Sequence, residues 1–201
     1  MKTNLFKTTL LTITAIALVS FDLPSGWHIA GTEPKSYEMG IDKGAGQDGK
    51  NAATIKSIDK KIKGFGTLMQ NSLPDKYLGK RVRMSGYLKT KDVSDWSGLW
   101  LRIDRKDGGR LGFDNMHDGK KERSIKGTSD WTKCEIVIDV PNTASNISFG
   151  ALLVGTGQLW FDNITFEVVD NTVETTGLGP EKTEEIKSVE NKEPENLDFE
   201  K

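Results

Sequence analysis

The chain has 201 residues, a formal net charge of -1, two histidines and a single cysteine. A balance this close to neutral gives no electrostatic footprint for nucleic acid or for an anionic membrane surface. One cysteine cannot close an internal disulfide, so any folded part must rest on its own hydrophobic core, for which the length suffices.

Residues 1–20 read as a secretory signal. Lys2 and Lys7 precede an apolar run from Leu10 to Val19, broken only by Thr12 and Thr14, and Ala15, Ala17 and Ser20 offer small residues for cleavage. The run falls short of the ~20 apolar residues that a spanning helix needs. The mature protein is therefore expected to be exported, periplasmic or secreted, without a transmembrane span. An uncleaved anchor or a buried helix is the alternative.

Residues 24–170 carry strand signals throughout. Ser36–Ile41 suits a short strand, Lys43–Asn51 a glycine-rich loop, and Ala52–Ser57 and Phe65–Gln70 two further strands. Lys80–Thr90 is the clearest one. Val82, Met84, Gly86 and Leu88 share one face, and Arg83, Ser85, Tyr87 and Lys89 share the other. Trp96–Asn115 reads as a hairpin turning at Asp107-Gly108-Gly109, where glycine accepts positive φ. Its apolar set is Leu99, Leu101 and Ile103, with Leu111 and Phe113 returning. Its polar face is expected to present Trp100, Arg102, Asp104, Asp114 and Asn115. Met116–Ser129 is expected to be a polar loop, Trp131–Val140 a strand holding Cys134 as a small buried hydrophobe, and Asn146–Val154 with Gln158–Val169 the last pair. About nine short strands without intervening helices predict an all-β fold, an antiparallel β-sandwich.

Residues 171–201 differ in kind. They hold nine acidic and four basic residues, and their few apolar residues keep no period. This is the composition of a solvated or disordered acidic tail.

Most catalytic chemistry is missing from the sequence. His28 and His117 lack metal-ligand spacing, and no phosphate loop, nucleophile elbow or zinc signature occurs. One enzymatic reading stays open. Asp104 and Asp114 fall on the two arms of one hairpin and could pair for glycoside hydrolysis, unless neighbouring arginines engage them.

FGTLMQ at 65–70, KRVRMSGYLK at 80–89, GTSDW at 127–131, ASNISFG at 144–150 and GTGQLWFDN at 155–163 occur in the order found in galactose-binding-like jelly-roll domains, which this chain resembles. Non-catalytic carbohydrate-binding modules are their best-known members. GWHIAG with Pro34, GLWLRID at 98–104 and FDNM at 113–116 also resemble an uncharacterised bacterial version of the domain, associated with the non-DNA-binding part of some regulators. The resemblance implies an exported binding module for carbohydrate or another small polar ligand. Tyr87, Lys89, Trp96, Trp100, Arg102, Asp104, Asp114 and Asn115 are the implied binding residues. Packing in the sandwich is the alternative for Trp100, and core positions are expected for Trp27, Trp131 and Trp160. The resemblance also implies a structural calcium on Asp162, with Glu38 or Asp42 contributing, although Asn163 stands where a second aspartate is common. A protein-interaction or structural envelope role, with a polypeptide partner, is the other class of function.

Overall fold

The computed structural model describes residues 21–180 and 193–200. Nine strands account for the fold: β1 (His28–Gly31), β2 (Tyr37–Asp42), β3 (Ala52–Ser57), β4 (Phe65–Ser72), β5 (Lys80–Arg105), β6 (Arg110–Asp114), β7 (Ile125–Val140), β8 (Ala144–Val154) and β9 (Gln158–Val169). All pairings are antiparallel. The fold is the expected antiparallel β-sandwich.

The strand that organises it is β5. The sequence reads as a strand and a separate hairpin, but the structure holds one strand of 26 residues. No glycine or proline lies between Thr90 and Trp96 to stop it. The chain instead bends, with Asp92 at a φ of 53° and register shifts on either side of Val93. Bulges of this kind turn a strand without ending it. The first half of β5 pairs with β7 and β9, and the second half with β8 and β6. Two leaves result, β2-β3-β9-β5-β7 and β1-β4-β8-β5-β6, joined through β5. β7 likewise begins at Ile125, six residues before the predicted strand, because it follows β5 around the bend.

The core lies between the leaves. Val82, Met84 and Leu88 point into it from the first half of β5, and Leu99, Leu101 and Ile103 from the second half. Phe149 and Phe161 are fully buried, and the Trp27 ring sits edge-on to Phe149 at 5.6 Å. Each such side chain contributes about 1.5–3 kcal/mol on burial. The leaves approach closely at Gly66, where a Cβ would collide with Met39 Cε on the opposite leaf. Cys134 is buried, and that burial pushes its thiol up to about 11. Trp27 takes its expected core position, but Trp131 and Trp160 are only half-buried.

Of the solvated or disordered acidic tail expected at 171–201, the structure describes residues 171–180 and 193–200. Both parts dock on the sandwich. Arg81 Nη1 donates to the carbonyls of Asn171 and Val173 at 2.7 and 2.6 Å. Phe199 is fully buried, with its ring 5.2 Å from Trp27 and 5.1 Å from Phe161. The fully buried carboxamide of Gln70 captures the backbone of Glu195, donating to its carbonyl at 3.0 Å and accepting from its N–H at 2.7 Å. Apolar residues inserted one at a time leave no period in the sequence, so the composition of the tail conceals them. The secretory signal expected at 1–20 lies outside the described residues. Among the described residues no helix is long and apolar enough to cross a membrane.

Candidate ligand cleft

The second half of β5 directs Leu99, Leu101 and Ile103 into the core, so the alternate residues Trp96, Gly98, Trp100, Arg102 and Asp104 form the outer face of their leaf. The register sets their neighbours. Trp100 lies opposite Gly150, Gly98 opposite Leu152 and Trp96 opposite Val154. On the other side Arg102 lies opposite Phe113. Of these, Trp96, Trp100, Arg102, Phe113, Leu152 and Val154 line a cleft of about 470 Å³ together with Phe65 and Thr67 of β4 and with Asn115 and Asp118.

Trp100 forms part of the floor. It is only 9% exposed, and its indole N–H donates to Thr67 Oγ1 at 2.8 Å. It lies outside the hydrophobic core cluster, so it is a cleft residue rather than sandwich packing. Trp96 is half-buried at the side and stacks on His117, with ring centroids 4.4 Å apart and planes 13° from parallel. Phe113 supplies a third ring, with the Arg110 guanidinium 5.5 Å from its centroid. The carboxamide oxygen of Asn115 accepts from the N–H groups of His117 and Asp118, and its Nδ2 donates to Asp118 Oδ2 at 2.9 Å. Asn115 thus shapes the loop that carries Asp118 to the cleft edge.

A polar chain continues along the same leaf. Arg102 Nε donates to Asp104 Oδ1 at 2.7 Å, Asn146 Nδ2 donates to Asp104 Oδ2 and to Ser148 Oγ, and Ser148 Oγ donates to Asn71 Oδ1 at 2.7 Å. Asp104 is 1% exposed. Burial pushes its carboxyl above the usual carboxylate range, and the hydrogen bond and charge of Arg102, Asn146 and the Arg110 charge pull it part of the way back. Asp104 therefore orients Arg102 beside the cleft.

Trp96, Trp100, Arg102 and Asn115 line one cleft, with Asp104 hydrogen-bonded to Arg102. Asp114 does not join them. It pairs opposite the inward-facing Leu101, is fully buried, and takes an ion pair from Arg123 and the N–H of Met116. Asp104 and Asp114 thus face opposite sides of one leaf, which corrects the reading of them as a hydrolytic pair. The cause is a register shift between Ile103 and Asp104 that leaves Leu111 as the extra residue of β6. Beyond that bulge Phe113 turns outward and Asp114 inward, the reverse of the alternation read from the sequence. The cleft also takes Phe65, Thr67, Phe113, Asp118, Leu152 and Val154, which local pattern does not mark as binding residues. As isolated apolar or loop residues they carry no signal of a shared surface until the register is known.

Tyr87 and Lys89 lie elsewhere. They occupy the outer face of the other leaf, where Lys89 Nζ stands 5.9 Å from the Trp160 ring centroid. Of the residues named for calcium, Asp162 lies on β9 and the two alternatives, Glu38 and Asp42, on β2. Glu38 pairs with Lys56 and Asp42 with Ala52, which puts them about 13 Å apart along β2. Asp42 accepts the Trp160 indole N–H at 2.7 Å. Both Asp162 oxygens accept backbone N–H groups, from Gln47 at 3.0 Å and Asn163 at 2.7 Å. Among the described residues no group of three or more His, Cys, Asp or Glu side chains could hold a metal ion.

No family model matches the chain. It is 42% identical over 176 residues to an uncharacterised HTH-type transcriptional regulator of Bacillus subtilis, YbfP, and covers 56% of that protein. The chain thus spans little more than half of the curated relative it matches. At 87% of the present chain, the match is longer than everything up to Val169 and so runs past it. Among solved structures, the chain is similar to the CBM22-1–GH10 modules of Clostridium thermocellum xylanase 10B complexed with xylohexaose, at a TM-score of 0.52 and 13% identity, over 74% of this chain and 27% of that one. The CBM22-1 xylan-binding domain of Paenibacillus barcinonensis Xyn10C gives a TM-score of 0.50 and 14% identity, over 75% of this chain and 90% of that one. These likenesses show the fold, the jelly-roll sandwich of carbohydrate-binding modules.

Proposed function

We propose that the chain is an exported, non-catalytic binding module whose cleft takes an oligosaccharide. The observation that carries this reading is the meeting of Trp96, Trp100 and Phe113 with Arg102, Asn115 and Asp118 around one cleft of about 470 Å³. Sugar rings present apolar faces that suit aromatic side chains, and hydroxyls that suit amides, carboxylates and guanidinium groups. The volume falls in the range of small-molecule sites. The xylan-binding and xylohexaose-bound neighbours share the fold and support the same class of ligand. The charge order and apolar run of residues 1–20 support export.

A glycan array probed with the full chain, with and without calcium, tests the reading. The expected result is a β-linked oligosaccharide hit that persists without calcium and disappears in Trp96→Ala. Silence from protein shown to be folded overturns it and favours the second class, a cleft that holds a polypeptide segment.

A further inference from the structure

Residues 170–180 do more than leave the last strand. β6 is the edge of the cleft leaf and β7 is the edge of the other leaf, so the sandwich is open along that side. The segment runs across the opening and bonds to both edges. Thr176 donates its N–H to the Val137 carbonyl at 2.8 Å, and its hydroxyl accepts the Val137 N–H at 2.9 Å. Two residues on, Leu178 exchanges both backbone hydrogen bonds with Phe113, at 2.7 and 3.1 Å. The Thr176 carbonyl also accepts the Lys120 N–H at 2.8 Å, and Lys120 Nζ donates to Thr175 Oγ1. Gly177 is buried between these contacts. A Cβ there would lie 2.8 Å from the Phe113 carbonyl oxygen and 2.9 Å from Ile138 Cγ1.

Two of the strap's targets matter for the cleft. Phe113 is itself a cleft residue, and Lys120 belongs to the loop that carries Asp118. β6 is only five residues long and has β5 as its other neighbour. An edge this short gains order from any added partner.

We infer that Thr175–Leu178 is a positioning strap for the ligand cleft, a short added strand that holds Phe113 and the Asn115–Asp118 edge in their binding positions. Its affinity consequence rests on the oligosaccharide reading of the cleft, whereas its positional consequence does not. Whatever displaces the strap, whether proteolysis or a partner that pairs with it, would lower the affinity of a cleft it does not touch with a side chain.

The test uses the full chain and two variants, Gly177→Val to dislodge the strap and Phe199→Ala as a destabilising control that packs against Trp27 and Phe161 instead. Xylohexaose affinity is read by calorimetry, and backbone protection by hydrogen exchange. In Gly177→Val the Phe113 amide should lose protection and the affinity should fall about tenfold or more, the scale of a lost interface anchor. In Phe199→Ala the affinity should hold while the melting temperature drops. Equal affinity in wild type and Gly177→Val, or losses in both variants that follow only their melting temperatures, would overturn the inference. A wild type that ignores xylohexaose counts against the ligand reading, and hydrogen exchange then decides alone. Lost protection at Phe113 and Asn115 in Gly177→Val supports the strap, and retained protection refutes it.

Discussion

Trp100 and Thr67 are joined across the cleft floor, the indole N–H donating to Thr67 Oγ1 at 2.8 Å while that hydroxyl donates to the Ala151 carbonyl at 2.7 Å. The pair spans β4 and β5 over the intervening β8. It makes Trp100 a structural part of the floor as well as a surface for ligand. Trp100→Ala should therefore cost about 3–5 kcal/mol of stability, the usual range for a buried aromatic. Trp100→Phe removes the donor and part of the ring while keeping an aromatic surface, and should cost less than Trp100→Ala, about 1–3 kcal/mol. Trp96→Ala, at a half-buried site, should stay within about 1 kcal/mol of wild type. Urea denaturation checks all three. A neutral Trp100→Ala would mean that the indole is not part of the packed floor.

The buried position of Asp104 has a consequence for pH. Burial raises its folded carboxyl above the usual value of 3.8. Between the two values the folded protein binds the proton more tightly than the unfolded chain. Stability at this site therefore rises as pH falls through that window, and the penalty of burying the charge is fully present above it. Asp104→Asn removes the titration. The stability difference between wild type and this variant should move in favour of wild type as pH falls from 7 toward 4. A carboxyl midpoint at or below 3.8, read by NMR titration of Asp104, would refute this.

Phe199 provides a direct test of the docked C-terminus. Phe199→Ala should cost about 3–5 kcal/mol, as for other buried aromatics. For a chain of this size that corresponds to a drop in melting temperature on the order of ten degrees. A solvated tail would give no change by differential scanning calorimetry.

Asp162 accepts an N–H on each oxygen, and among the described residues no group of three or more His, Cys, Asp or Glu side chains could hold a metal ion. Chelation with EDTA, or addition of calcium, should leave the melting temperature unchanged. Asp162→Asn turns an NH₂ group toward one of those donors and should cost about 1–3 kcal/mol. A calcium-dependent melting temperature that disappears in Asp162→Asn would place a cation there after all.

Much of this molecule was legible in local pattern. The alternation of Val82, Met84 and Leu88 against Arg83, Tyr87 and Lys89 predicts a strand with one buried face, and the structure agrees. The same rule applied to Trp100, Arg102 and Leu101 places a polar and aromatic face outside the core. It failed at β6, where one extra residue exchanged the faces of Phe113 and Asp114. It is the resemblance, and not the alternation, that groups Tyr87 and Lys89 with Trp100, and the bend at Asp92 sends them to opposite outer surfaces. The acidic composition after Val169 concealed the burial of Phe199 and gave no sign that the backbone of Leu178 pairs with Phe113.

What the amino-acid sequence by itself determined was the all-β class, the near-neutral charge, the lack of a disulfide and the side chains available for binding. These follow from composition and from a two-residue period, which are properties of neighbouring residues. Only the tertiary structure decided which of those side chains share a surface. Register, bulges and the return of the C-terminus depend on contacts between residues distant in the chain, and a shift of one residue reverses a face without altering the pattern.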